Sequence, residues 1–490
     1  MTMTTDRQLP QLRNDTARNY IGGQWVTSAT KGTSYSPATG ESLGTYYEAD
    51  EVQVREAIRI AKDTFATHIW RRDRQLRARV LNEMADRIEA ASGELAMLLA
   101  RENGKILPEA DFELSLTPSK LRYYAAQALT DTGRGGRVRD GVYSLLLSEP
   151  VGVAGVVVPW NSPVVLSVRS FAPALAAGCT VVMKMAAQTA LVNARLAELL
   201  ADCPSLPDGV LNIFTESGSD GAKLLVSSPD VAALSYTGST AVGRQIMADA
   251  AANLKRLSLE LGGKTPMIVF DDADLDTAVG TIVAGITTFT GQFCMTGSRV
   301  LVHAAVADQV RTMLAAALGN VRVGPGDADG SHMGPLIDIA SRDRLDALVE
   351  QHLSGADVIV RGGRPEDEAL AAGAYYRPTL LGVGDTDSPL VQQELFGPVA
   401  TFEVFESEEE AVRMANATEY GLAASVWTRD GARGLRMADA LDAGTVWTNG
   451  WAVVVDQFEE GGYKQSGLGR LNGHRAIEEF QEYKHVVQVV

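Results

Sequence analysis

The residues best suited to chemistry are Cys294, Glu260 and Asn161, each in a glycine- or proline-bounded loop. Cys294 stands in Thr-Gly-Gln-Phe-Cys-Met-Thr-Gly-Ser-Arg, between a helical pattern and the strand pattern SRVLVH. Glycines on both sides let the backbone approach a ligand closely. An isolated free cysteine is more often a packing residue. Cys179, which opens a β-branched run, and Cys203, which precedes Pro204, fit that reading; Cys294 fits it less well, because its loop is not apolar. Glu260, in Leu-Glu-Leu-Gly-Gly-Lys, is either a solvated loop acid or an acid held among apolar neighbours. In the second case its pKa rises and it can act as a general base near neutrality. Asn161, in Val-Pro-Trp-Asn-Ser-Pro, follows a buried-strand pattern, where open α/β sheets bind ligands. It either turns the chain before Pro163 or offers an amide donor to a developing oxyanion.

The surrounding patterns supply elements to position these groups. Residues 50–130 read mostly as helix, with apolar positions three and four apart such as Val80, Met84 and Ile88. From Val151 short β-branched runs alternate with helical stretches: strands at GVAGVVVPW, CTVVMKM, VLNIFT and VAALSYTG, helices at 163–178, Ala190–Leu200, Ala222–Val226 and Ser239–Ala252. That alternation predicts a parallel sheet covered on both faces. A second series begins after the LGGK segment near 262. It has strands at 265–270, 298–303, 357–360, 399–405 and 422–427, and helices at Leu275–Phe289 and Ala305–Leu318. The fold class is therefore α/β, a Rossmann-like domain followed by a second α/β domain. The apolar run EYKHVVQVV has no partner nearby in sequence; it pairs across a subunit interface or forms an internal edge strand.

Composition narrows the function. At 490 residues the chain is long enough for about two to four domains. A formal charge of −17 argues against a non-specific nucleic-acid or anionic-membrane binder. Three cysteines, an odd number, argue against a disulfide framework and for a reducing, cytoplasmic setting. Six histidines without paired spacing argue against a zinc site, so no metal is expected. The N-terminal MTMTTDRQLPQLRND lacks the apolar core of a signal peptide, and no run is long enough to span a bilayer.

Taken together, PWNSP, LELGGK, GQFCMTGSR, QELFGPV and GGYKQSGLGR, in this order over nearly the whole chain, resemble the aldehyde dehydrogenase superfamily. The resemblance implies NAD(P)-dependent oxidation of a small aldehyde to an acid. Cys294 is then the nucleophile that forms a thiohemiacetal and a thioester, Glu260 activates the hydrolytic water, and Asn161 holds the oxyanion with the Cys294 backbone N–H. It also implies a cofactor site of Trp160, Lys184, Ala187, Gly238, Ser239, Glu394 and Phe396. Ser239 and its neighbour Gly238 would meet the pyrophosphate at a helix N-terminus. Lys184 would reach the adenosine ribose; Glu394, with Phe396 packed beside it, would hold the nicotinamide ribose.

Two departures from the family pattern matter. Ala187 stands where many members have a glutamate that binds the ribose and repels a 2′-phosphate, so either NAD or NADP is an expected cofactor. Leu471 follows GLGR where some members carry a second, proton-relaying glutamate, which leaves Glu260 as the principal base. The expected substrate pocket comprises Arg169, Phe293, Trp451 and Val454. Arg169 would anchor a carboxylate or an oxygen-bearing ring, or else make a surface salt bridge; the aromatic residues suit an aromatic aldehyde, and a semialdehyde suits the arginine. The alternatives are a coenzyme-A-acylating semialdehyde dehydrogenase, disfavoured by Glu260, and a catalytically silent scaffold. The resemblance further implies a cofactor domain (1–131 and 151–261), a catalytic domain (262–465) and a small β oligomerisation element (132–150 and 466–490) in a homodimer or homotetramer.

Overall fold

The computed structural model describes residues 12–130 and 133–490. Most of the N-terminal stretch read for a signal, and the expected domain boundary at 131/132, lie outside the described residues.

Three of the five sheets among the described residues organise the chain. The first has eight strands in the order Gly467–Leu468, Arg256–Glu260, Val231–Thr237, Val153–Val157, Thr180–Ala186, Leu211–Glu216, Asn19–Ile21 and Gln24–Val26. Its five middle strands are parallel; the short outer pairings are antiparallel. Val153–Val157 is buried along its whole length. Strands covered on both faces read as continuous apolar runs rather than alternating ones, and these do. Helices Glu51–Thr67 and Pro163–Ala177 are among the elements covering this sheet. The second helix opens on Pro163 and stops at Gly178, whose φ of 107° suits glycine. It is apolar on most sides, as Val164, Val168, Phe171 and Leu175 show, because it is sandwiched between the sheet and helices Arg74–Ala90 and Thr117–Thr130.

The second sheet has seven strands in the order Asp357–Val360, Thr379–Gly382, Val399–Phe405, Arg299–His303, Pro266–Val269, Ala423–Trp427 and Thr445–Thr448, all parallel except the first. The third is a separate antiparallel ribbon of Gln481–Val489, Val142–Pro150 and Arg134–Arg139. The C-terminal strand thus finds its partner within the chain, in register from Gln481 opposite Pro150 to Val489 opposite Val142. The segment 466–490 divides: Gly467–Leu468 extends the first sheet, whereas Gln481–Val489 joins the ribbon.

The helix expected to run to Phe289 ends at Thr287. A short 3-10 turn, Thr288–Gly291, follows, with Phe289 and Thr290 in the left-handed region (φ 53° and 56°). Local pairing explains the early stop. The half-buried Glu109 carboxylate accepts the Phe289 N–H at 2.7 Å, and Thr290 Oγ1 donates to the Gly334 carbonyl at 3.0 Å. Gly291 lies so close to the Gly397–Pro398 backbone that an added Cβ would come within 2.2 Å of it. This turn sets the direction of the Cys294 loop.

Candidate active site

The parallel strands of the first sheet end on one side, and the expected site residues gather there. Trp160 and Asn161 follow Val153–Val157; Gly238 and Ser239 follow Val231–Thr237; Glu260 closes Arg256–Glu260, in register with Thr237. Such strand ends form the crevice where open α/β sheets bind ligands. Asn161 is fixed by what surrounds it. Glu113 accepts the N–H groups of Val164 and Val165 (2.9 and 3.2 Å), capping the helix that follows, and pairs with the buried amine of Lys105, which also donates to Ser162 Oγ at 3.0 Å. Asn103 Nδ2 donates to the Trp160 carbonyl at 2.8 Å.

The Cys294 loop is held by its carbonyls. Thr296 Oγ1 donates to those of Gly291 and Phe293, Asn161 Nδ2 to that of Gln292 at 3.1 Å, and Trp451 Nε1 to that of Met295 at 2.8 Å. At Gly263 a Cβ would approach the Cys294 carbonyl to 2.4 Å, so glycine is required there. The thiol is thereby fixed between two cavities that share Cys294, Asn161 and Leu166.

The larger cavity, about 280 Å³, is lined by Trp160, Gly238, Ser239, Glu260, Glu394 and Phe396 among others. The Trp160 and Phe396 rings meet edge-on at 5.6 Å. Ser239 caps helix Thr240–Ala250, so the positive end of that helix faces this side. Glu394 is anchored by the Gly263 N–H at 3.2 Å, and a Cβ at Gly262 would collide with its other oxygen. The narrower cavity, about 60 Å³, is largely apolar, with Phe112, Leu116, Val165, Phe293 and Val454 on its walls and Arg169 and Glu460 at its polar side.

Electrostatically the centre is buried and rich in carboxyl groups. Burial pushes the Glu260 carboxyl up to about 8, opposed by the Arg169 cation and reinforced by Glu460. Its Oε1 is buried without a hydrogen-bond partner. Burial pushes the Cys294 thiol up to about 12, again opposed by Arg169 and reinforced by Glu260, Glu460 and Glu394. Glu394 is held up to about 7 by burial, against the Gly263 N–H and the Lys264 amine.

The aldehyde dehydrogenase family model matches residues 25–486. The chain belongs to this family. It is 38% identical over 479 residues to a phenylacetaldehyde dehydrogenase of Pseudomonas fluorescens, covering 95% of each chain. It is 36% identical over 473 residues to a betaine aldehyde dehydrogenase of Bacillus subtilis (strain 168), covering 95% of this chain and 96% of that one. Among solved structures, betaine aldehyde dehydrogenase from Staphylococcus aureus in complex with NAD+ superposes with a TM-score of 0.95 at 34% identity, over 98% of this chain and 96% of that chain. The chain is thus an oxidoreductase with the α/β fold of the aldehyde dehydrogenases.

Within this aldehyde dehydrogenase, Cys294, Glu260, Asn161, Trp160, Gly238, Ser239, Glu394 and Phe396 converge on the larger cavity. Phe293, Val454 and Arg169 line the narrower one. Trp451 stands behind the wall, its ring edge-on to Phe293 at 5.9 Å while it braces Met295. Lys184 and Ala187 lie at the end of strand Thr180–Ala186, outside the residues lining either cavity. Arg169 makes no surface salt bridge: it is 4% exposed, and its Nη1 donates to Glu460 Oε1 at 2.8 Å. Glu460, Thr237 and Gln292 are site residues the sequence reading missed. The signal for Glu460 was its place directly before the GGYK segment, where an acid in an otherwise glycine-rich turn invites a partner.

Proposed function

We infer that the chain oxidises an uncharged, apolar or aromatic aldehyde to its carboxylic acid, with Cys294 as nucleophile, Asn161 as oxyanion donor and Glu260 as base for the hydrolytic water. One observation carries this reading: Cys294 and Asn161 stand where two cavities meet, the larger lined by Glu260, Ser239 and Glu394 and the narrower walled mainly by apolar side chains. Loss of the thiol proton lets the sulfur add to the carbonyl carbon. The resulting oxyanion is met by the Asn161 amide, free to exchange its bond to the Gln292 carbonyl. As the oxyanion re-forms the carbonyl, the former aldehyde carbon gives up its hydrogen as hydride, which a bound nicotinamide dinucleotide would accept, and a thioester is left on Cys294. Glu260 then takes a proton from water, the water oxygen adds to the thioester, and the thiolate departs as the acid forms. A buried carboxylate lining the same cavity as Cys294 favours water as the acceptor over coenzyme A.

The residues fit a nicotinamide dinucleotide. Gly238 has room for no Cβ, since Tyr236 would meet it at 2.3 Å, and Ser239 opens a helix beside it. Glu394 and Phe396 would hold the nicotinamide end, which when bound accepts the hydride. Lys184 would meet the adenosine ribose. Burial lowers its amine, while the carboxylates of Glu216 and Glu48 support its charge. Those two acids oppose a 2′-phosphate, whereas Ala187 leaves space for one, so NAD is the better cofactor and NADP is accepted.

The pocket reading favours a neutral substrate over a semialdehyde acid, because Glu460 and Thr237 already hold the Arg169 guanidinium in place. The phenylacetaldehyde dehydrogenase relative supports an aromatic one. A homodimer or homotetramer built on the ribbon is supported by its exposed apolar side chains, Leu145, Leu147, Tyr483 and Val487 among them. A three-part division is supported by a ribbon separate from both large sheets, with Gly467–Leu468 assigned to the first sheet. A cytoplasmic setting is supported by three free cysteines; among the described residues no helix is long and apolar enough to cross a membrane. Stopped-flow release of NADH and NADPH over an aldehyde panel, with and without coenzyme A, tests the reading. Acid formation from neutral aryl aldehydes without coenzyme A is the expected result; thioester release that depends on coenzyme A overturns it.

A further inference from the structure

Arg169 occupies an unusual position for a residue lining a substrate cavity. It projects from the helix that follows Asn161, yet its guanidinium is tied to two other elements: Nη1 to Glu460 Oε1 at 2.8 Å and Nη2 to Thr237 Oγ1 at 3.2 Å. Thr237 is the strand neighbour of Glu260, in register with it. Gly461, next to Glu460, lies so close to Glu260 that an added Cβ would approach Glu260 Oε1 to 3.1 Å. One cation therefore links the Asn161 helix, the strand pair of Glu260 and the loop that backs Glu260. Its Nε is buried with no hydrogen-bond partner, and so is Glu260 Oε1. A side chain fixed by two partners is not free to swing onto a substrate carboxylate.

We propose that Arg169, clamped by Glu460 and Thr237, is a positioning residue that orders Glu260 and presents a fixed positive charge to the Cys294 thiolate, instead of anchoring a substrate carboxylate. The proposal rests on the roles inferred above for Cys294 and Glu260. Glu460 has two tasks in it: it orients the guanidinium and it limits how much of its charge the thiolate feels. The charged and titratable groups around the pair are Glu260 on its strand, Cys294 on its loop, Tyr124 on helix Thr117–Thr130, and Arg470 beyond Glu460. Glu394 acts on the thiol from the cofactor side. Lys120 and Glu113, also on the cavity wall, are matched by Asp456 and Lys105. Arg169 has Glu460 as its counter-charge and, unlike Lys120 and Lys105, also acts on Glu260 and Cys294. The direction of its influence agrees, since it favours the ionised forms of both Cys294 and Glu260 while Glu460 opposes them.

The signature is a pair of opposite effects. Alkylation of Cys294 by iodoacetamide, followed against pH and located by peptide mass spectrometry, reads the thiolate directly, without turnover; Cys179 and Cys203 are buried. R169M should slow alkylation at neutral pH about tenfold, an upward displacement of about one pK unit. E460Q should accelerate it, R169K should stay near the native rate, and R169M/E460M should recover most of the R169M loss. The ratio of kcat/KM for a carboxylate-bearing semialdehyde over a neutral aryl aldehyde should be the same in R169M as in the native enzyme. A merely structural role slows R169M and E460Q alike and leaves the double variant worst, which overturns the proposal. So does a selective loss of the carboxylate-bearing substrate in R169M, which would make Arg169 an anchor. Retention of aldehyde oxidation by C294A would overturn the inferred function and the proposal with it. An unchanged alkylation profile in R169M, with C294A inactive, overturns the proposal alone.

Discussion

Two buried arginine–glutamate pairs in this chain are used very differently. Arg299 and Glu403 sit on adjacent strands of the second sheet and are both essentially inaccessible. Their contact is two-pronged, Nε to Oε1 at 2.9 Å and Nη2 to Oε2 at 2.6 Å. Thr401 Oγ1 adds a bond to Oε1 at 2.8 Å, and Arg299 Nη1 reaches the Ala415 carbonyl. Each Arg299 nitrogen and each Glu403 oxygen has a partner, which is what a buried pair needs to offset its desolvation. Arg169 and Glu460 share a single bond, leave Nε unmatched and face a cavity. Spare bonding capacity marks the pair that acts on something else; saturation marks the pair that only holds the fold.

The sharpest way to break this contrast is to remove one partner from each pair. E403A should cost about 3–5 kcal/mol of stability, because it strands a buried guanidinium, while the alkylation profile of Cys294 in the folded fraction stays native. Denaturant unfolding and thiol kinetics on the same sample measure both. If the thiol responds, the saturated pair is not merely structural. Next in size, E260Q should lower the hydrolytic step about a hundredfold. In the native enzyme that step should rise as pH passes through about 8, because the carboxyl, held up by burial, acts as a base only when ionised. E260Q should lack this rise, which single-turnover acid release across pH 6.5–9.5 (roughly the range that brackets the ionisation) would measure. E460Q should cost less stability than E403A, about 1–2 kcal/mol, since its amide still accepts from Arg169 and the cavity admits water; equal losses in thermal unfolding would erase the distinction. The smallest expected effect is that of A187E: restoring a carboxylate near the adenosine ribose should lower kcat/KM for NADPH-forming turnover relative to NADH-forming turnover by about tenfold, near 1.4 kcal/mol.

Much of the layout was legible in the sequence because it depends on local pattern. The buried parallel strands appear as β-branched runs, and Val231–Thr237, Asp357–Val360 and Val399–Phe405 fall within one residue of where the pattern put them. Cys294, Glu260 and Asn161 were legible from short ordered segments, each bounded by glycine or proline. What was not legible depends on contacts between distant segments. Arg169 and Glu460 are 291 residues apart, so neither residue's own surroundings disclose the other. The arginine looked like a ligand anchor because its neutralising acid lay beyond any local window. Trp451 looked like a pocket wall for the same reason: its bond to the Met295 carbonyl spans 156 residues. The stop of the helix at Thr287 was hidden because Glu109, which captures the Phe289 N–H, lies 180 residues earlier.

The C-terminal ribbon strand has a consequence for the order of events during synthesis. Ala476, Ile477 and Phe480 pack into the hydrophobic core built mainly from the first two hundred residues. The Phe480 carbonyl accepts from Val151 N–H and from Cys179 Sγ, the latter across 301 residues. A nascent chain at about 5–20 residues per second therefore holds that core unfinished for tens of seconds, with the edge of Val142–Pro150 open to other chains. Until Gln481–Val489 emerges and covers that edge, Val142–Pro150 has only Arg134–Arg139 beside it in its sheet.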